Sequence, residues 1–424
     1  MALRDLVADT RPLRNDHFRR LWIAEIITVI GAQLTVVAIP AQIYAETGSS
    51  AYVGLTGVFG LVPLVVFGLY GGALADAFDR RTIMQVTTVG LIVMSALFWI
   101  QAAAGGLDVW LLLVLFAVQQ AFFAVNMPTR AALMPRILTA EDLPAANSLH
   151  YTVAMAGGTA GPLVAGVLIP ITGLSWLYFI DTVCLFATLY AVVLLPRLPV
   201  EGVTVNPGLR SVIDGFVYLR TQPVLMMSFV VDIIAMIFGM PRALFPEMAH
   251  VDFHGPEEGG LAFALLFAAI PAGAVAGGVF SGWISRVSRQ GLAVVWCIVV
   301  WGVSIVVFGV AVALAGHART AMLVVAVLAL AVGGAADMAS AAMRTSMLQS
   351  AADDSVRGRL QGVFTVVVAG GPRIADTVHG AAAVALGAAA TAAGGGVLVV
   401  VGVVIAAAAV PSFVRYRVLQ TTRS

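Results

Sequence analysis

Apolar runs long enough to cross a bilayer recur along this entire chain, and no other feature limits its folding so strongly. A hydrocarbon core about 30 Å thick is crossed by roughly 20 residues of helix. Runs of that kind are read at 20–44, 52–75, 83–104, 107–127, 147–169, 174–195, 224–246, 260–284, 291–315, 320–342, 361–387 and 394–414. Of the 424 residues 60% are hydrophobic and 11% charged, where soluble domains carry about 25% charge. A water-soluble fold has no way to hide this much apolar surface. Backbone polar groups in hydrocarbon must be satisfied within the segment, which helices of this length achieve. The expectation is an all-α membrane protein with twelve transmembrane helices.

Charge placement adds a topology. All 23 basic residues are Arg, and flanks rich in Arg are retained in the cytoplasm during insertion. Arg4, Arg11, Arg14, Arg19 and Arg20 precede the first run, and Arg415, Arg417 and Arg423 follow the last. Arg80, Arg81, Arg130, Arg136, Arg197, Arg210, Arg220, Arg286, Arg289, Arg344, Arg357 and Arg359 fill alternate loops. Both termini are therefore expected on the cytoplasmic side of a bacterial inner membrane. The first 17 residues are charged and include Pro12, so the first helix rather than a cleaved leader is expected to direct insertion. Cys184 and Cys297 both fall within apolar runs, which offers neither a disulfide framework nor a metal cluster. A net charge of +1 implies no nucleic-acid partner, and the Arg-rich flanks need only lipid headgroups. P-loop, HExxH and GxSxG patterns do not occur, so no enzyme chemistry and no cofactor are expected.

The second half repeats the first at an offset of about 206 residues, the mark of a duplicated transporter. Glu25–Ile30 falls on Asp232–Ile237, Pro40 on Pro246, Gly54–Leu55 on Gly260–Leu261, and Gly71–Gly72 on Gly277–Gly278. Between the halves, 196–222 is polar and proline-containing, with a candidate amphipathic helix at 208–221. The organisation is then an N-terminal six-helix bundle over 1–195, a cytoplasmic linker over 196–222 and a C-terminal six-helix bundle over 223–424.

The end of the second run reads Gly71-Gly72-Ala73-Leu74-Ala75-Asp76-Ala77-Phe78-Asp79-Arg80-Arg81. It resembles the loop signature G-x-L-A-D-x-x-x-R-R of the major facilitator superfamily, with Ala77 replacing a basic residue and Asp79 a glycine. That resemblance implies a gating role for Gly72, Asp76, Arg80 and Arg81: Gly72 permits close helix approach, and Asp76 accepts from a facing helix end or an arginine. Gly282 stands where the repeat would place a second Asp76. The fifth run carries Gly157-Gly158-Thr159-Ala160-Gly161-Pro162-Leu163-Val164-Ala165-Gly166, similar to the antiporter signature G-x3-G-P-x2-G-G of exporters, apart from Ala165. Gly157 and Gly161 permit close packing, and Pro162 frees a carbonyl; packing alone also accounts for them. Further stretches are Pro128–Pro135 with Arg130, Glu141–Leu149, Met240–Pro246, and Arg357–Gly362, with a weaker echo at Arg344 and Asp353–Asp354. Together they make the chain resemble the bacterial enterobactin-exporter branch. That branch implies proton-driven export of a siderophore or another amphiphile; a multidrug or macrolide pump of the same fold is the alternative. The implied partners are a small amphiphilic substrate, protons and the bilayer, in a monomer.

Ionisable side chains inside hydrocarbon cost several kcal/mol and mark functional sites by default. Glu25 and Asp232 occupy equivalent positions in the first and seventh helices and are the leading proton-coupling candidates, because burial lets a carboxyl exchange a proton between the two sides. Arg373, Asp376 and His379 recur at intervals of three in the eleventh run. Arg373 and Asp376 form either an anion site or a pinning ion pair, and Asp376 and His379 join the proton-carrier candidates. Asp181, Asp337 and Arg242 are further polar positions, Asp181 and Arg242 being possible partners. Cavity-wall candidates are Gln33, Gln119, Gln120, Phe123, Asn126, Phe229, Met236, Met240, Arg242 and Arg373, since flexible and aromatic surfaces suit bulky ligands.

Overall fold

The computed structural model describes residues 9–105, 108–139, 141–196, 217–351 and 354–417, with side chains except at 69–77, 285–286, 349–351, 354–366 and 368–369. Twelve long helices and no strand occur among them: α1 (Asp16–Thr47), α2 (Ser50–Ala77), α3 (Arg80–Ala103), α4 (Val109–Ile137), α5 (Leu143–Thr172), α6 (Leu174–Val193), α7 (Pro223–Gly239), α8 (Leu261–Val279), α9 (Gln290–Ala313), α10 (Arg319–Ala351), α11 (Asp354–Leu386) and α12 (Ala388–Ala409). Eleven described helical stretches are long and apolar enough to cross a membrane, α11 being the long helix outside that set. The chain is a multi-pass membrane protein.

Local chemistry sets the helix ends. Asp79 caps α3 by accepting from the Arg81 amide at 2.8 Å, and Asp108 caps α4 through the Trp110 amide at 2.9 Å. The Asp79 that departs from the superfamily loop pattern is thus a helix cap, satisfying one of the orphan amides of α3. Gly173 (φ 80°) turns α5 into α6, and Gly387 (φ 81°) turns α11 into α12. Both positions need the left-handed backbone that glycine adopts freely.

Four expected spans are redrawn. The run 224–246 is no single helix, because Pro241 has no amide to continue it. α7 ends at Gly239, and the chain proceeds as a 3-10 turn (Arg242–Leu244), a short helix (Phe245–Glu247) and a π turn (Met248–Asp252). The last span runs Ala388–Ala409 rather than 394–414, since Pro411 forces Val410 out of helical backbone (ψ 77°). α4 and α10 continue past the expected ends at 127 and 342 to Ile137 and Ala351. Arg130 and Arg344 therefore sit on helices rather than in loops.

Packing divides the chain into one unit of Met1–Gln42 with Phe59–Gly208 and another of Ile43–Val58 with Leu209–Ser424. In the first, α3 packs against α4 and α6; in the second, α9 packs against α10 and α12, α8 against α10, and α7 against α11 and α12. Residues 43–58 join the second unit because Gly54 and Gly57 lie directly on the α11 backbone at Asp376 and Arg373. Thr377 Oγ1 donates to the Gly54 carbonyl at 3.0 Å, and the Ser50 hydroxyl donates to Glu247.

The internal repeat shifts register along the chain. Arg130 and Arg344, Gly157 and Gly371, and Gly173 and Gly387 share one offset (344 − 130 = 214), whereas Glu25 and Asp232 differ by less (232 − 25 = 207). That change of register is why the later helices of the two halves match only weakly at a single offset.

Ahead of α1, Arg11 donates to both carboxylate oxygens of Asp9, at 3.0 and 2.9 Å from Nε and 2.6 Å from Nη2. Those hydrogen bonds hold the Asp9 carboxyl below the usual carboxylate range.

Candidate functional site

In the first unit the site is assembled on α1, α4 and α5. Glu25, Val29 and Gln33 are spaced by four along α1 and so share one face. On α5, Gly157 and Gly161 meet that face: a Cβ at Gly157 would lie 2.5 Å from Val29 Cγ2, and one at Gly161 would collide with the Gln33 Cβ. Only glycine allows so close an approach. It brings His150, two turns earlier on α5, to Glu25, and His150 Nδ1 contacts Glu25 Oε1 directly. From α4, Arg130 Nη2 donates to Glu25 Oε2 at 2.6 Å. Glu25 is 7% exposed, so both its oxygens are engaged away from water. Asn126, one turn before Arg130, donates to Thr87 Oγ1 at 2.8 Å.

The second unit carries the corresponding acid–arginine pair. Arg344 Nη1 of α10 reaches Asp232 Oδ1 of α7 at 2.5 Å. Arg344 Nε donates to Ser340 Oγ at 3.2 Å, and Nη2 lies 4.0 Å from Asp337 Oδ1. Asp232 is 1% and Arg344 5% exposed. Asp232 Oδ2 has no partner among the described residues. The glycine contact recurs as well: Gly371 of α11 lies against the Met236 side chain, as Gly157 lies against Val29. Each unit thus joins an acid on its first helix to an arginine on its fourth.

A further cluster lies where α7 breaks. Arg242 Nη2 is 3.9 Å from Asp376 Oδ2, and the Ala243 amide donates to the same carboxyl. Asp376 therefore meets Arg242 across the break in α7, while Arg373 of its own helix also acts on it electrostatically. Arg242 and Arg373 act on one another electrostatically, and Asp376 is the acid between them. His379 is 2% exposed, and its Nε2 donates to the Phe238 carbonyl at 3.1 Å. That carbonyl is left without a helical donor by the break after Gly239, so the histidine expected as a proton carrier caps a broken helix. Asp181 meets Thr35 and Ser95 (2.7 and 2.9 Å), in place of the conjectured Arg242.

The other expected residues divide between packing and exposure. Phe229 is buried with Leu219, Leu225, Leu348 and Val367 in the core of the second unit, and Met236 is 6% exposed beneath Gly371. Gln119, Gln120 and Met240 are partly buried, and Phe123 is 41% exposed. Pro162 is buried within α5. Arg81 Nη2 donates to the Val193 carbonyl at 2.6 Å, tying the start of α3 to the end of α6. Arg80 is partly buried at the same end. The side chains of Gly72 and Asp76 lie outside the described residues. Sequence reasoning missed His150, whose signal is its place seven residues before Gly157 on the face that meets α1.

Twelve long helices among the described residues, duplicated with a matched acid–arginine pair in each unit, define a polytopic transporter of the major facilitator fold. Residues 7–417 match the family of transmembrane secretion effectors, and the chain belongs to that family. It is a membrane efflux transporter and not an enzyme. The chain is 27% identical over 361 residues to the enterobactin exporter EntS of Shigella boydii serotype 18, covering 82% of this chain and 80% of the relative. EntS of Escherichia coli O81 is 26% identical over the same coverage. Similar solved folds include a bacterial homologue of the lysosomal transporter Spinster (TM-score 0.70, 14% identity, 97% of this chain and 100% of that one). A bacterial homologue of the iron transporter ferroportin aligns with a TM-score of 0.68 at 15% identity, over 94% and 98%. The nucleoside transporter NupG aligns with a TM-score of 0.69 at 13% identity, over 95% and 100%.

Proposed function

We propose that the protein is a proton-coupled antiporter exporting a siderophore-like, amphiphilic small molecule across the bacterial inner membrane by alternating access. The observation that carries the reading is the acid–arginine pair repeated at Glu25–Arg130 and Asp232–Arg344. A carboxylate held by an arginine in a dry site is charged; once it takes up a proton, the attraction that fixes the arginine is lost, and the two helices are released from one another. Proton binding and helix movement are thereby linked in each unit, which is what exchange of a proton for a substrate requires. His150 beside Glu25 supplies an imidazole in direct contact with the carboxyl, through which a proton can pass to it.

The substrate reading rests on the EntS relatives and on the cluster of Arg242, Arg373 and Asp376, whose guanidinium groups suit an anionic or catecholate group. The protein acts as a monomer, and both its termini lie in the cytoplasm, the orientation that its arginine placement supports. In proteoliposomes with an imposed proton gradient, Asp232→Asn and Glu25→Gln are expected to insert normally and to abolish gradient-driven export. Full transport by both variants overturns the coupling reading. In a deletion strain starved of iron, unchanged secretion of chelator overturns the substrate reading and leaves a multidrug pump of the same mechanism.

A further inference from the structure

Away from the acid–arginine pairs, the described residues of the first unit include one more buried acid. Asp181 lies on α6 at 2% exposure, and its neighbours differ from those of Glu25, Asp232 and Asp376. Each of those three faces an arginine. Asp181 faces hydroxyls: Thr35 Oγ1 of α1 at 2.7 Å and Ser95 Oγ of α3 at 2.9 Å, both directed at Oδ2. Its Oδ1 has no partner among the described residues, although it is fully enclosed. Gly31 of α1 makes the room: a Cβ there would stand 2.9 Å from both the Cα and the Oδ1 of Asp181. Among the described residues the titratable side chain that acts on it is Cys184 of its own helix, and the groups that α1 and α3 offer it are the Thr35 and Ser95 hydroxyls.

From this geometry we infer that Asp181 is a proton-binding site, holding its proton in this conformation and passing its hydrogen bond to Ser95. An ionised carboxyl enclosed with no cation, and with one oxygen unsatisfied, is the costly arrangement for buried charge; the neutral acid removes that cost. Ser95 is placed to serve both states. Its Oγ stands 2.9 Å from Asp181 Oδ2 and 3.2 Å from the Tyr178 carbonyl. With Asp181 protonated, the acid donates to Ser95 Oγ and the Ser95 hydroxyl turns to the Tyr178 carbonyl. When the proton leaves, the same hydroxyl turns back and donates to the carboxylate. One hydroxyl rotation accommodates the change, with no backbone movement.

Further polar groups lie along the same seam. The Tyr178 hydroxyl donates to Gln42 Oε1 at 2.9 Å, and Gln42 and Gln101 exchange hydrogen bonds of 3.2 and 3.0 Å. Gln101 is partly exposed near the last residue of α3, Ala103. The seam between α1, α3 and α6 therefore carries polar side chains between Asp181 and one end of the helices. Thr35 is ten residues beyond Glu25 on α1, about 15 Å by helix rise, so this is a second proton site in the unit, separate from the Glu25 pair. It does not depend on the identity of the exported substrate.

The test is infrared spectroscopy of the full-length protein in lipid vesicles across a pH series, read in the carbonyl region where protonated carboxyls absorb apart from carboxylates. The wild type is expected to show a protonated-carboxyl band at neutral pH that is lost in Asp181→Asn and shifted in Ser95→Ala, which removes its acceptor. A band region unchanged by Asp181→Asn overturns the assignment. If that variant fails to fold, uniform isotope labelling of aspartate in the wild type and in Ser95→Ala decides. A protonated-carboxyl band that moves with the label and shifts in Ser95→Ala supports the site, and the absence of any label-sensitive band overturns it.

Discussion

Replacing Arg344 by Gln strands Asp232, 1% exposed, with no other cation paired to it among the described residues. The pair is 2.5 Å long, and both residues are at most 5% exposed. Removing one partner of a buried ion pair costs about 3–5 kcal/mol. The two sides of the pair are not equivalent, however. Without Asp232, Arg344 still has Ser340 at 3.2 Å and Asp337 at 4.0 Å. Without Arg344, Asp232 loses its cation, and its Oδ2 already lacks a partner among the described residues. Arg344→Gln is therefore expected to cost more than Asp232→Asn. At about 2–4 °C per kcal/mol for a unit of this size, the loss in Tm comes to roughly 6–20 °C. The stranded carboxyl escapes by taking up a proton, so the folded variant binds more protons than its unfolded chain and its stability falls as pH rises. Lowering the pH should restore up to about 1.4 kcal/mol per unit in Arg344→Gln. Asp232→Asn has no such proton to take up and should keep its deficit at every pH. Tryptophan fluorescence melts in detergent, run over a pH series on both variants and the double mutant, measure this directly. Equal losses, or an Arg344→Gln deficit that ignores pH, would refute the pairing argument.

His150→Gln keeps a hydrogen-bonding group beside Glu25 and removes the imidazole, so gradient-driven transport in vesicles should fall while insertion is unchanged; undiminished transport would exclude His150 from the proton route. Gly161→Val places a side chain on the Gln33 Cβ, and forcing α1 and α5 apart should cost about 1–3 kcal/mol in melting experiments. His379→Ala leaves the Phe238 carbonyl without its donor and should cost about 1–3 kcal/mol; proton-driven transport should fall no further than stability does, and a selective loss of coupling would restore His379 to the proton route. Asp79→Ala removes the cap of α3, with an expected loss of about 1 kcal/mol read as a small fall in Tm.

What could be read in advance follows from which interactions are local. The spans were legible because hydrocarbon imposes length and composition residue by residue, and Glu25 and Asp232 stood out because charge in such a segment is rare. Their partners were harder to see. Arg130 and Arg344 looked like loop residues, since apolarity ends near 127 and 342 while the helices continue to Ile137 and Ala351. Hydropathy reports where the bilayer contact stops; it says nothing of where the helix stops. His150 carried no local signal, because its role comes from the glycine contact two turns away that seats α5 on α1. The same reasoning explains Asp376. Its spacing from Arg373 suggested an intrahelical pair; the proline after Met240 breaks α7 and turns Arg242 towards α11, adding a tertiary neighbour that no sequence spacing shows. Asp181 is the converse case. The sequence marked it as a charge needing a partner, and the fold gives it hydroxyls and an enclosed, unsatisfied oxygen instead of a cation. A proton is the one partner that needs no residue of its own, which is why no sequence pattern announces it.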